Sequence, residues 1–354
     1  MPKLKPSLDW LLVLAPVSWL GEFVLHNELL TFLTAAGAIL PLAGLIGRST
    51  EQLALHAGPR LGGLLNATFG NVAELVIAFF LILENELEVV KASLTGSILG
   101  NLLLVLGLSF LFGGLKHREQ SYNAQAAGVH SSSLTLAVIG LLMPALFVLT
   151  TDTRVFLERE VVSATVAIVL MALYAAALIF TLVTHEHLFR TPTAEEHPLW
   201  SKRKAIGMLV AATAFVAFQS EILVGSLEPA LESLGMSKFF VGLIIVPIIG
   251  NAAEHASAVT FALRNQVDVT LEIAIGSSTQ IALFVAPLLV FVSLLVGNPM
   301  DFIFSTFEVA AVGMATLIVA LISQDGKSNW LEGLQLVGAY VIMAISFFFV
   351  RTLV

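Results

Sequence analysis

The sequence predicts an all-α integral membrane protein of about eleven transmembrane helices, one N-terminal helix followed by two inverted five-helix repeats. Three observations carry this. Of the 354 residues 57% are hydrophobic and only 12% charged, with a mean hydropathy of +0.93, whereas soluble domains hold roughly a quarter charged residues. The apolar stretches run to about twenty residues without polar/apolar alternation, as a helix satisfying its own backbone in hydrocarbon requires and a barrel strand does not. Lastly, Gly-Asn-x-Ala-Glu occurs twice, once in each half, inside such stretches.

The first nine residues place Lys3 and Lys5 ahead of an apolar run with no Ala-x-Ala cleavage site after it, so that run reads as a membrane helix rather than a leader. Spans follow at 10–25, 29–47, 61–84, 88–114, 126–150, 160–184, 204–226, 237–263, 268–296, 301–322 and 329–351. Cytoplasmic connections should hold the excess of Lys and Arg. With the N-terminus inside, Lys3, Lys5, Arg48, Arg60, Lys116, Arg118, Arg190, Lys202, Arg203, Lys204, Arg264 and Lys327 fall on the inner side, 12 of the 17. The remaining five, Lys91, Arg154, Arg159, Lys238 and Arg351, fall outside, and so does the C-terminus. The polar connection around 185–203 divides the chain, giving an N-terminal helix over 1–27 and repeats over 28–184 and 204–354.

Several function classes drop out. Without cysteine there are no disulfides, thiolate metal sites or cysteine nucleophiles. A net charge of -8 excludes a basic nucleic-acid face, and no activated nucleophile or soluble catalytic region points to an enzyme.

The duplication is in strict register. Gly70, Asn71, Ala73, Glu74 and Ala78 match Gly250, Asn251, Ala253, Glu254 and Ala258 at an offset of 180, and Gly96 and Ser97 match Gly276 and Ser277 at the same offset. Five helix steps separate the third and eighth spans, so the copies cross the membrane in opposite directions. Inverted repeats place ion sites near the bilayer midplane where the copies meet.

A carboxylate at that depth costs roughly 2.5–3.5 kcal/mol even on the lenient insertion scale, so it asks for a partner or a task. Asn71 and Asn251 each stand three residues before a Glu and share its helical face. Ser97, Ser277, Asn101 and Gln280 add neutral oxygens. Carboxylate, amide and hydroxyl oxygens suit hard cations such as Ca2+ or Mn2+, not Zn2+ or Cu2+. Gly62, Gly63, Gly70, Gly242 and Gly250 allow close helix approach or local unwinding. Charge counting then links metal to protons. Two ionised Glu side chains are costly to carry through the membrane dielectric, whereas a doubly protonated site and a site with one divalent cation are both neutral. Only loaded carriers switch sides, so metal moves one way as protons move the other.

The segments from Gly62 to Glu74 (Gly-Gly-Leu-Leu-Asn-Ala-Thr-Phe-Gly-Asn-Val-Ala-Glu), from Gly96 to Gly107, and Gly-Asn-Ala-Ala-Glu-His ending at His255 closely resemble the Ca2+/H+ antiporter (cation/proton exchanger) family. The Na+/Ca2+ exchangers of the same superfamily typically read Gly-Thr-Ser-x-Pro-Glu, and neither Glu here follows a Pro. The resemblance implies a metal and proton site at Glu74 and Glu254, lined by Asn71, Asn251, Ser97, Ser277 and Gln280. It puts His255 beside the site, tuning protonation or making a structural hydrogen bond, and Glu51 and Glu221 along the ion path with Asn101. It implies no cofactor beyond the transported ions, and the lipid bilayer as surroundings. The short N-terminal segment points to a prokaryotic plasma membrane. A Na+-coupled Ca2+ exchanger is the near alternative and a cation channel the distant one. Channels are assembled around a symmetric filter, whereas this chain carries its own antiparallel duplication around paired acids.

Other signals read as background. His185, His187 and His197 lack the spacing of a metal site, Glu84, Glu86 and Glu88 form a solvated acidic turn, and Phe347, Phe348 and Phe349 read as lipid-facing bulk.

Overall fold

The computed structural model describes residues 8–150, 156–189 and 198–350. Among them are ten helices long and apolar enough to cross a membrane: α1 (Leu8–Leu25), α2 (Glu28–Ala57), α3 (Leu61–Leu83), α4 (Leu87–His117), α5 (Ala124–Thr150), α6 (Glu158–Thr184), α7 (Lys202–Gly225), α8 (Lys238–Leu263), α9 (Val267–Val296) and, last in the chain, α11 (Trp330–Phe349). An eleventh apolar helix, α10 (Thr306–Ile322), fills the remaining predicted span with 17 residues. Lys3, Lys5, Arg154, Arg190, His197 and Arg351, used in the reading above, lie outside the described residues.

Local chemistry sets the helix ends. The Asn27 side chain caps α2 by accepting from Leu30 N at 3.0 Å. Capping boxes pair Ser305 with Glu308 at α10 and Asn329 with Glu332 at α11. The hairpins α3–α4 and α8–α9 turn on Asn85 (φ 59°) and Asn265 (φ 63°), which adopt the left-handed conformation that Asn tolerates best after Gly. Each turn closes on the same backbone bonds: Glu86 N to Leu81 O at 2.8 Å and Gln266 N to Phe261 O at 3.0 Å. These asparagines are also 180 residues apart, so the duplication extends from the motifs to the turns.

In the packed bundle α2 crosses α7, α4 lies against α8 and α11, and α5 against α10. One short antiparallel pair, β1 (Glu119–Ser121) with β2 (Lys327–Asn329), ties the α4–α5 and α10–α11 connections together, Gln120 opposite Ser328. The aromatic end differs from its sequence reading: Phe347 is fully buried, with its ring 4.8 Å from Phe307 and 5.7 Å from Phe239, while Phe348 and Phe349 face outward. A helix at the rim of a bundle still turns one side inward, and position 347 falls on that side.

Candidate metal and proton site

The two motif helices are built differently. α3 is made from two helical pieces, the first entering it from Pro59 and ending at Phe69 (Pro59–Phe69) and the second Val72–Leu83, with Gly70 and Asn71 between them. Asn71 leaves helical geometry (φ -97°, ψ 20°), and Glu74 sits in the first turn of the second piece. In α8 the matching residues lie within an unbroken helix, Val246–Leu263, preceded by a π-helical turn over Val241–Ile245. Packing separates the copies. The leading half of α8 presses on α4: a Cβ at Gly96 would collide with the Leu243 backbone, and one at Gly242 would come within 2.9 Å of the Val89 carbonyl. The leading piece of α3 instead leans on α2, where a Cβ at Gly62 would stand 2.8 Å from Ala54 O.

The two Glu side chains cross over. A Cβ at Gly250 would lie 3.0 Å from Cγ and 3.5 Å from Cδ of Glu74, and one at Gly70 would lie 3.7 Å from Oε1 of Glu254. Each carboxylate is thus seated on the motif glycine of the opposite copy. At Gly250 an added Cβ would crowd Glu74, whereas at Gly70 it would meet Glu254 at ordinary contact distance and press instead on Asn66 O at 2.8 Å. The carboxyls are near enough to repel one another when ionised.

Hydrogen bonds knit the remaining polar residues around this pair. Asn71 Nδ2 donates to Gln280 Oε1 at 2.8 Å. Asn251 Nδ2 donates to Ser97 Oγ at 3.2 Å and to Pro247 O at 3.1 Å. The Ser277 hydroxyl has two acceptors at 3.3 Å, Asn71 Oδ1 and Glu254 Oε2, and receives Asn101 Nδ2, also at 3.3 Å. His255 Nε2 stands 3.2 Å from Asn101 Oδ1, so His255 fixes the Asn101 amide, which in turn orients Ser277. Two oxygens are left buried without a hydrogen-bond partner, Glu74 Oε1 and Asn251 Oδ1. A buried acceptor without a donor is costly, and a hard cation would satisfy both.

Glu74, Glu254, Asn71, Asn251, Ser97, Ser277, Gln280, Asn101 and His255 therefore gather around one centre. Glu51 and Glu221 do not share in the hydrogen bonds above: they lie toward the C-terminal ends of the crossing helices α2 and α7, both exposed. The acidic turn is partly neutralised, Lys238 Nζ standing 2.7 Å from Glu86 and 3.0 Å from Glu228. His185 stacks on Phe180 with 3.9 Å between rings. Sequence reading did not find the Pro247 carbonyl, because a backbone oxygen leaves no residue-type signal.

The sodium/calcium exchanger protein family matches residues 27–183 and 204–349. The chain is 44% identical to a protein of Synechocystis sp. named Ca(2+)/H(+) antiporter, over 97% of each chain, and 45% identical to the Ca(2+)/H(+) antiporter ChaA of Bacillus subtilis, over 94% of this chain and 96% of that one. The solved structure of native YfkE, 41% identical, superposes with a TM-score of 0.86 over 97% of this chain and 100% of that one. The H+/Ca2+ exchanger CAX shares the fold at 14% identity, with a TM-score of 0.73 over 96% of this chain and 91% of that one. Sequence match, identity across nearly the whole length and shared architecture together place this chain in the sodium/calcium exchanger protein family.

Proposed function

We propose that the chain is a secondary transporter, not an enzyme, exchanging Ca2+ for H+ across a prokaryotic plasma membrane by alternating access. The observation that carries this is the crossed seating of Glu74 and Glu254, each over the other copy's glycine, so that one pocket holds two ionisable oxygen ligands and little else that is charged. A divalent cation neutralises both, and so do two protons. The unpartnered Glu74 Oε1 and Asn251 Oδ1 are the oxygens a cation would meet first. The names of the Synechocystis and Bacillus relatives support the same pair of ions. Mn2+ fits the same oxygen chemistry as a second cargo.

In this reading residues 28–184 and 204–354 are the two repeats, joined by a cytoplasmic linker, with the N-terminus cytoplasmic and the C-terminus outside. Asn71, Asn251, Ser97, Ser277 and Gln280 line the metal site, His255 acts on protonation through Asn101, and Glu51 and Glu221 stand on the approaches. Reconstituted vesicles test it. Ca2+ uptake should follow an imposed pH gradient, ignore a Na+ gradient, and vanish in Glu74→Gln and in Glu254→Gln. Near-normal exchange by either variant would remove the assignment, and uptake driven by Na+ would replace the proton with sodium.

A further inference from the structure

One ionisable pair stands outside this site and within the membrane helices. His130 of α5 and Glu272 of α9 face each other with Nε2 and Oε2 2.9 Å apart, an ion-pair contact rather than an aligned hydrogen bond. The imidazole is enclosed (14% of the side chain exposed) and sits edge-on to Phe189, 5.5 Å between rings. The Glu272 side chain is 61% exposed and lies five residues inside α9. Five residues from the start of a 30-residue helix about 45 Å long, it lies near the edge of a hydrocarbon core about 30 Å thick, where its exposed side meets water. Its other oxygen points along α9 toward the site, where a Cβ at Gly276 would come within 3.3 Å of Oε1. Ser277, which donates to Glu254, is five residues further on, about 7.5 Å along the axis.

A comparison with the other half shows why this pair stands apart. There α4 is braced to α10 by Thr95 Oγ1 donating to Glu308 Oε1 at 3.0 Å, and to the connection before α10 by Lys91 paired with Asp301. Glu308 is 4% exposed and also receives the Ser305 amide and hydroxyl at 2.9 and 2.7 Å. That brace is saturated and built on a lysine. The brace between α5 and α9 has one ion-pair contact, leaves Glu272 largely exposed, and uses the side chain whose charge changes between about pH 5 and 8.

We propose that His130 and Glu272 form an accessory proton-binding site, between the Arg264 end of α9 and Ser277, that passes protons between water and the carboxylate of Glu254. This rests on the antiporter reading above. A proton from water attaches to the imidazole and takes the pair from a net charge of -1 to 0. Its departure, through Glu272 and a short chain of waters toward Glu254, restores the carboxylate and neutral imidazole, so no other reactant is needed. The other titratable groups on the surrounding elements are Tyr174 of α6, which interacts electrostatically with Glu272, Glu254 and His255 of α8, Asp268 at the start of α9, and Glu186 and His187 in the short helix Glu186–Phe189.

The test uses the full chain in vesicles, comparing Glu272→Gln, His130→Gln and Glu272→Asp with the parent across pH 5.5–8.5, a range set around the titration of histidine. Equilibrium 45Ca2+ binding should be unchanged in all three. Exchange by the Gln variants should fall roughly a hundredfold, the low end of what a positioned proton donor contributes, with a flattened pH profile, and Glu272→Asp should recover most of it. Thr95→Val, in the saturated brace, should leave the pH profile intact. A profile of unchanged shape in Glu272→Gln, whether at full or uniformly reduced rate, would reduce the pair to a structural tie and overturn the proposal. If the parent chain itself fails to couple Ca2+ to protons, the antiporter reading fails instead, and the two results cannot be confused.

Discussion

The crossed seating of the carboxylates makes Gly250→Ala a demanding perturbation, because it adds only one methyl group. The new Cβ would stand 3.0 Å from Glu74 Cγ and 3.5 Å from Cδ, whereas carbon atoms settle at about 3.5–4.0 Å. Glu74 would have to retreat by roughly 0.5 Å or more. Calcium–oxygen bonds span only about 2.3–2.6 Å, and a site tolerates shifts of about 0.2 Å. The displacement should therefore weaken Ca2+ binding about tenfold or more, which corresponds to about 1.4 kcal/mol. Stability should move the other way, because α8 is continuous here and Ala favours a helix interior over Gly by about 1 kcal/mol. Equilibrium 45Ca2+ binding and thermal unfolding in detergent, measured on the same sample, separate the two effects. Gly207→Ala, at a position with nothing within 4 Å of the added Cβ, is the control and should keep full affinity. Undiminished Ca2+ affinity in Gly250→Ala would mean that Glu74 does not take its position from Gly250, and the geometry of the shared pocket would have to be abandoned.

Three further outcomes are expected. Asn251→Asp places a third carboxylate in the pocket, so that one divalent cation no longer neutralises it; Ca2+ binding at equilibrium should persist while exchange collapses, as paired binding and flux assays would show. Phe347→Ala empties a fully buried aromatic position between Phe239 and Phe307 and should cost about 3–5 kcal/mol, read as a lowered unfolding temperature with the pH dependence of transport unchanged. Burial, with the nearby Asp325 and Glu332 charges, pushes the Tyr122 hydroxyl in the α4–α5 connection above its ordinary range. The folded chain then keeps this proton longer than the unfolded chain does. The associated stability is complete below the ordinary tyrosine pKa of about 10 and is lost as pH rises above it. Tyr122→Phe should therefore flatten the fall in melting temperature above about pH 10, and an unaltered slope would show that the phenol does not contribute.

Much of the architecture could be read from the chain because the two halves repeat in register. Residues shared at an offset of 180 mark the motif helices, and counting the spans between them settles their opposed directions. What the comparison of halves cannot reveal is whatever the halves do not share. Glu272 aligns with Ala92 and His130 with Ala310, so a search for matching residues passes over the one ion pair that links α5 to α9. Local unwinding is expected at Gly70 and Gly250 alike; which copy breaks is hidden, since α8 carries the same Gly-Asn pair without breaking. Tertiary packing decides there: Gly96 and Gly242 let α4 hold the leading half of α8, while the corresponding piece of α3 rests on α2. Glu51 and Glu221 looked like counterparts and do occupy corresponding ends of α2 and α7, but residue type alone could not tell an approach from a ligand.

That unequal treatment of two near-identical motifs bears on motion. Under the alternating-access reading proposed above, each half takes the other's shape in turn. In that mirror state α8 would bend at Gly250 and Asn251 and detach from α4, while α3 would straighten and close against α9. Glu74 and Glu254 would stay between them in either arrangement. The two copies of the motif would thus serve by turns as the bent helix and the straight one.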